Sequence, residues 1–246
     1  MKNLIYQTNI PKGKQPNHVK ISQRGFITYA HVHDVEYMFN GETQLEDTGL
    51  KYPEYYERYR LFLDPYFDQY DKILYVDSDV YPYGMVDNIF KIDGDILCMP
   101  ERVEPSGNFY PKFSVRNSSA WKEIHQCFDA HNVEITYFDD GQIRWYNTGV
   151  LMLSKNARKE LRKKFDSFSA FNPPEKSTRQ LIFLDEMWWI LNLTKHKLID
   201  RVTELDNKWN WTGANSIRGN LLLGDFPNAN FLHFSGGARK KVMTML

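Results

Sequence analysis

Short apolar runs recur along the chain, with amphipathic stretches between them. Leu4-Ile5-Tyr6 and Val35-Glu36-Tyr37-Met38-Phe39 read as two strands. Between them a helical stretch runs through Phe26, Tyr29 and Ala30 to about His33, with Ser22 as its candidate cap. Strand, helix, strand at this spacing predicts a βαβ unit and a parallel sheet. Tyr52, Tyr56, Tyr59 and Leu63 then lie three to four residues apart, which predicts a helix entered at Pro53 and stopped before Pro65. Ile73–Val76, Asp95–Met99, Val150–Leu153 and Phe231–Phe234 read as further strands, and Tyr81–Gly84 as a turn. Helical periodicity returns at Ala120–Ala130, Asn156–Phe168 and Ser177–Leu193, while Ile199–Leu205 is strand or extended chain. The pattern predicts an α/β domain: a mostly parallel, mixed central sheet flanked by helices. With 246 residues, one core suffices.

Composition changes this picture in three ways. Lysine plus arginine equals aspartate plus glutamate at 31 each, so no bulk basic field favours a nucleic-acid partner. Aromatic residues reach 15%, enough to furnish a cleft with stacking faces as well as a core. Cys98 falls in a strand-like run and Cys127 in a helical one, which favours a reduced, cytoplasmic protein over a disulfide scaffold. The first residues lack the apolar core of a signal peptide, and no stretch reaches eighteen apolar residues, so no transmembrane segment is expected. Phosphate-loop, dinucleotide-turn, nucleophile-elbow and zinc-peptidase motifs are absent from the sequence.

The chemistry concentrates at Asp77-Ser78-Asp79, directly after the Ile73–Val76 strand. Carboxylates two residues apart on extended chain point the same way. Burying them unpaired is costly, and a divalent cation removes that cost. Hard oxygen ligands favour Mg²⁺ or Mn²⁺, often shared with substrate phosphates; an ordinary turn is the alternative. Arg60, one position round from the aromatic stripe, is either a solvent-facing cation or a phosphate contact at a cleft rim. Asn147-Thr148-Gly149 forms a junction where glycine admits close backbone approach and asparagine both donates and accepts. Asp185 and Glu186 interrupt an apolar helix, costly unless they are solvated or used. Lys208-Trp209-Asn210-Trp211 suits the lining of a cleft, and Gly236-Gly237 with Arg239, Lys240 and Lys241 suits a phosphate cradle.

These elements together resemble the glycosyltransferases of family eight, the group that includes glycogenin and bacterial lipopolysaccharide galactosyl- and glucosyltransferases. Tyr59 to Asp79 is similar to the family's helix-then-D-x-D stretch, Asn147-Thr148-Gly149-Val150 to its N-[AT]-G-V segment, and His233 with Gly236 to its H-x-x-G element. The resemblance covers roughly residues 52–240. It implies a single GT-A domain over residues 1–246, with 1–140 mainly nucleotide- and metal-binding and 141–246 mainly serving donor sugar and acceptor. It implies metal ligands Asp77, Asp79 and His233; donor contacts Arg60, Asp77, Ser78, Gly149, Gly236, Arg239 and Lys240; and catalytic-site residues Asn147, Asp185 and Glu186. The family commonly has glutamine where Glu186 stands, so that carboxylate either faces the anomeric carbon or is a spectator. The implied reaction is Mn²⁺- or Mg²⁺-dependent transfer of a hexosyl group, from UDP-glucose or UDP-galactose, to a hydroxyl of a glycan, lipid-linked, protein or small-molecule acceptor. Configuration is retained. An inverting transferase using Asp185 as base, an inactive nucleotide-sugar-binding protein and a metal-dependent phosphohydrolase are the competing readings.

Overall fold

The structure is a computed structural model that describes residues 1–10, 14–45, 55–84, 87–101, 119–171, 184–211 and 228–234. Six strands form the main sheet: β1 (Asn3–Thr8), β2 (Glu36–Asn40), β3 (Lys72–Asp77), β5 (Ile96–Pro100), β6 (Tyr146–Ser154) and β7 (Val202–Glu204), in the order β2-β1-β3-β6-β5-β7. β1 pairs in parallel with β2 and β3, and β5 with β7, whereas β6 runs antiparallel between β3 and β5. β4 (Val80–Pro82) and β8 (Phe231–His233) form a separate antiparallel pair.

Period-two alternation assigns the side chains to two cores. Leu4, Tyr6, Ile73, Tyr75, Ile96, Cys98, Leu151 and Leu153 face one side, where Tyr59, Phe62, Leu161, Trp188 and Trp189 cover them. Ile5, Leu74, Val76, Leu97, Met99, Val150 and Met152 face the other, under Phe26, Tyr29, Trp209 and Phe231. Burial on both faces explains why these strands read as continuous apolar runs. Each fully buried aliphatic side chain contributes about 2 kcal/mol. The covering helices are α1 (Asn17–Val32) on the second face, with α2 (Arg60–Leu63), α3 (Ser119–Ala130), α4 (Lys155–Lys164) and α5 (Leu184–Lys195) contributing to the first. Arg158 of α4, fully buried, donates to the Leu153, Phe67 and Tyr70 carbonyls and thereby ties α4 to the sheet. Cys98 and Cys127 are buried free thiols.

Four expectations are corrected. Ser22 does not cap α1 but lies within it, donating from its hydroxyl to the Val80 carbonyl and accepting from the Gln7 amide. The chain at Val80–Pro82 is strand, since Phe231–His233 supplies a ladder that no local pattern announces. Asn147-Thr148-Gly149 is part of β6, at a bulge where pairing with β5 jumps from Cys98↔Leu151 to Met99↔Asn147. The predicted helix from Pro53 is, within the described residues, a 3-10 turn at Glu57–Tyr59 followed by the single turn of α2.

The topology also selects where a ligand can sit. The chain leaves β1 for β2 on one side and returns to β3 on the other. In open α/β sheets the crevice beyond the carboxyl ends of strands at such a reversal is the natural binding place. Thr8 and Asp77 are paired at those two ends.

Candidate active site

Asp77 closes β3, and a two-residue turn carries the chain through Ser78 and Asp79 into β4. The β4–β8 register sets His233 opposite Val80, and the Phe234 N–H donates to the Asp79 carbonyl at 2.9 Å. This ladder delivers the imidazole to the acids. His233 Nε2 lies 3.3 Å from Asp79 Oδ1 and 4.0 Å from Asp77 Oδ2. One ligand atom from each of the three residues falls within 4.8 Å of the others. Asp79 and His233 are buried.

Asp77 is further oriented by the chain around it. Tyr75 Oη donates to its Oδ1 at 2.6 Å. Burial, then the adjacent Asp77 charge, pushes the Tyr75 phenol far above its ordinary range and keeps it a donor. Arg58 Nη2 lies 3.2 Å from the same oxygen, while its Nε is 3.4 Å from Asp185 Oδ2 and its Nη1 donates to Thr148 Oγ1 at 2.6 Å. The Asp77 Oδ1 atom is thus occupied, and Oδ2 is the oxygen nearer His233.

Two carboxylates and an imidazole fit Mn²⁺ or Mg²⁺. Space around the imidazole is equally specific. A Cβ placed on Gly149 would lie 2.5 Å from His233 Cε1 and 2.9 Å from Asn147 Oδ1. Gly149→Ala must therefore displace the ring. We expect Mn²⁺ binding, measured by isothermal titration calorimetry, to weaken at least about tenfold.

A second polar cluster adjoins the first. Asn147 Nδ2 donates to Glu101 Oε1 at 2.9 Å and to Glu186 Oε1 at 3.3 Å. Glu186 also accepts from Trp145 Nε1 at 3.0 Å and from the Thr148 N–H at 3.3 Å. Burial, followed by the charges of Glu101 and Asp185, pushes the Glu186 carboxyl well up despite those donors. Burial likewise raises Glu101, with Asn147 opposing. Asp185 and Glu186 sit in the first turn of α5, where the helix dipole favours acids.

Burial pushes Asp185 up to about 6, with Arg58 opposing and Asp77 reinforcing. A carboxyl raised in the folded state makes the folded form bind more protons between about pH 4 and 6. Its favourable contribution is complete below the unfolded pKa and is lost as pH rises through the folded one. Asp185→Asn should therefore stabilise the fold by about 3 kcal/mol above pH 6, a gain that shrinks towards pH 4. Denaturant unfolding across that interval measures it.

The structure brings together Asp77, Asp79, His233, Asn147, Gly149, Asp185 and Glu186 from four parts of the chain, with Ser78 half-buried in the turn between the two acids. Arg60 is corrected. It pairs with Asp64 at 3.0 Å, lies 3.9 Å from Glu57 and rests over Phe67. Residues two apart on a helix face opposite ways, so Arg58 enters the cluster and Arg60 does not. Sequence reasoning missed Arg58 and Glu101, and gave Asn210 only as cleft lining and not as a partner of His233. The paired arginines of Glu57-Arg58-Tyr59-Arg60 were the available signal for the first, and the polar break inside Trp209-Asn210-Trp211 for the last. Gly236, Arg239 and Lys240 lie outside the described residues.

Fold and donor set together define a metal-dependent transferase acting on nucleotide-activated sugars. More narrowly, the chain belongs to glycosyl transferase family 8, whose sequence profile it matches over residues 8–240. A search of curated protein sequences gives no match. Among solved structures, a glycosyltransferase involved in the glycosylation of the major capsid of PBCV-1 aligns at 17% identity and TM-score 0.60, over 100% of both chains. The galactosyltransferase LgtC aligns at 13% identity and TM-score 0.46, over 99% of this chain and 96% of its own. Mouse xyloside xylosyltransferase 1 aligns at 11% identity and TM-score 0.46, over 95% and 97%. The first of these shares the GT-A fold. No helix among the described residues is long and apolar enough to cross a membrane.

Proposed function

We propose that this protein transfers a hexosyl group from UDP-glucose or UDP-galactose to a hydroxyl acceptor, with retention of configuration. The observation that carries the reading is the convergence of Asp77, Asp79 and His233 within 4.8 Å at the switch point of the sheet. When bound there, Mn²⁺ supplies Lewis-acid stabilisation of the charge developing on the leaving diphosphate. Residues 1–140 supply Asp77, Asp79 and Arg58, and residues 141–246 supply Asn147, Asp185 and His233. Gly236, Arg239 and Lys240 are assigned to the diphosphate, continuing the family resemblance.

Asp185 orients the sugar by accepting from its hydroxyls, and Asn147, whose amide is engaged by Glu101, Glu186, Gly149 and Asn210, holds the frame beside it. Arg58 keeps Asp185 and Asp77 apart as charges and fixes Asp77 for its ligand role. Glu186 is assigned to positioning and not to attack, because Trp145, Thr148 and Asn147 already engage both its oxygens. The acceptor hydroxyl enters on the face that the diphosphate leaves, which assists its deprotonation. The leaving diphosphate is stable as an anion and needs no acid of its own, unlike the leaving group of a glycosidase.

Thermal unfolding with Mn²⁺ and a panel of nucleotide-sugars tests the donor. The cognate donor at a hundredfold excess over its Kd should add about 2.7 kcal/mol of apparent stability. No shift with any member of the panel would end the transferase reading. Proton NMR of the first-formed product then reads the anomer, and an inverted product would move Asp185 to the role of general base.

A further inference from the structure

We propose that Asn210 is the positioning residue of the metal centre: it fixes His233 as the Nδ1–H tautomer and leaves the Nε2 lone pair facing Asp77 and Asp79. The inference rests on the metal-dependent reading above and adds a residue and a cause to it.

The Gly149 backbone N–H can only donate, and Asn147 Oδ1 lies 2.9 Å from it. That contact identifies the Asn147 oxygen. Its Nδ2 consequently faces Glu101 and Glu186, where two carboxyl oxygens receive its two protons. Asn210 approaches Asn147 Oδ1 at 2.7 Å, so the atom it presents must be a donor, Nδ2. The other terminus of the Asn210 amide is then Oδ1. It stands 2.9 Å from His233 Nδ1. An oxygen acceptor there requires a proton on Nδ1. Nε2, the nitrogen pointing at Asp79, is left to coordinate.

Each link is held in place. Asn210 is fully buried at the end of the 3-10 turn Asn207–Trp209, its backbone N–H bonded to the Asn207 carbonyl at 3.1 Å. The His233 N–H donates to the Trp211 carbonyl at 2.9 Å, which ties β8 to the segment that carries Asn210. A histidine that binds metal needs its second nitrogen hydrogen-bonded to set tautomer and orientation. Here the acceptor is an amide whose own orientation is imposed from β6. The relay also joins the Asn147 cluster to the metal ligands, so the sugar-side residues and the cation site share one hydrogen-bonded frame.

Two measurements test this. Asn210→Leu keeps the size of the side chain and removes the acceptor. The Mn²⁺ Kd, read by EPR of free Mn²⁺ with circular dichroism confirming the fold, should rise about 10–100-fold. An unchanged Kd in a folded variant overturns the proposal. Independently of any variant, long-range ¹⁵N–¹H spectra of the metal-free wild-type chain, above the titration of the ring, should show His233 protonated on Nδ1. Protonation on Nε2 overturns it equally, and this spectrum decides the question if the leucine variant fails to fold. Should the wild-type chain take up no Mn²⁺ at all, the transferase reading falls, while the ring spectrum still judges the relay.

Discussion

Asp79→Ala should lower metal-dependent transfer by roughly three orders of magnitude, about 4 kcal/mol of transition-state stabilisation. The size follows from geometry. Asp79 Oδ1 is the carboxylate oxygen nearest His233 Nε2, at 3.3 Å, whereas one Asp77 oxygen is already shared between Tyr75 and Arg58. Removing Asp79 leaves one available carboxylate oxygen and one imidazole, too few for a divalent ion that must also hold a diphosphate. The rate of donor consumption at increasing Mn²⁺ checks it. Near-native turnover with an unaltered Mn²⁺ dependence would refute the ligand assignment. The fold should tolerate the change, because a buried acid disappears with it.

Arg58→Met should cost about 3–5 kcal/mol of folding stability at neutral pH, since it strips the shared cation from two acids. Asp185 is 4% and Arg58 11% exposed in their side chains, so water screens little of the interaction. Without the guanidinium, Asp77 and Asp185 repel, and Thr148 Oγ1 loses its donor at 2.6 Å. The penalty should shrink on acidification, because Asp185 already titrates high and would shed its charge. Saturating Mn²⁺ should recover part of the loss by neutralising the Asp77 side. Urea titrations at two pH values, with and without Mn²⁺, separate these terms. A variant as stable as the parent at neutral pH would show that Arg58 is a bystander.

Much of this molecule was legible as a string of residues, for reasons that are local. The central strands announced themselves because they are buried on both faces, and Asp77-Ser78-Asp79 because its ligands are neighbours in sequence. What escaped is non-local. Val80–Pro82 becomes a strand only because Phe231–His233 lies beside it. Arg58 and Arg60 are indistinguishable by type, and only the phase of a short turn decides which one meets Asp185. Nothing local marks Glu101, which follows β5 and meets Asn147 beside the β6 bulge. Asn210 was visible as cleft-lining chemistry, but its partners stand 63 and 23 residues away.

The short ladder between β4 and β8 has a consequence for biosynthesis. Its two halves are separated by most of the polypeptide, so the acids leave the ribosome long before the imidazole that completes their site. A nascent or prematurely terminated chain that stops ahead of Phe231 carries most of the sheet but an unfinished centre. Until Phe231–His233 has been added, the two acids lack the third residue of the cluster.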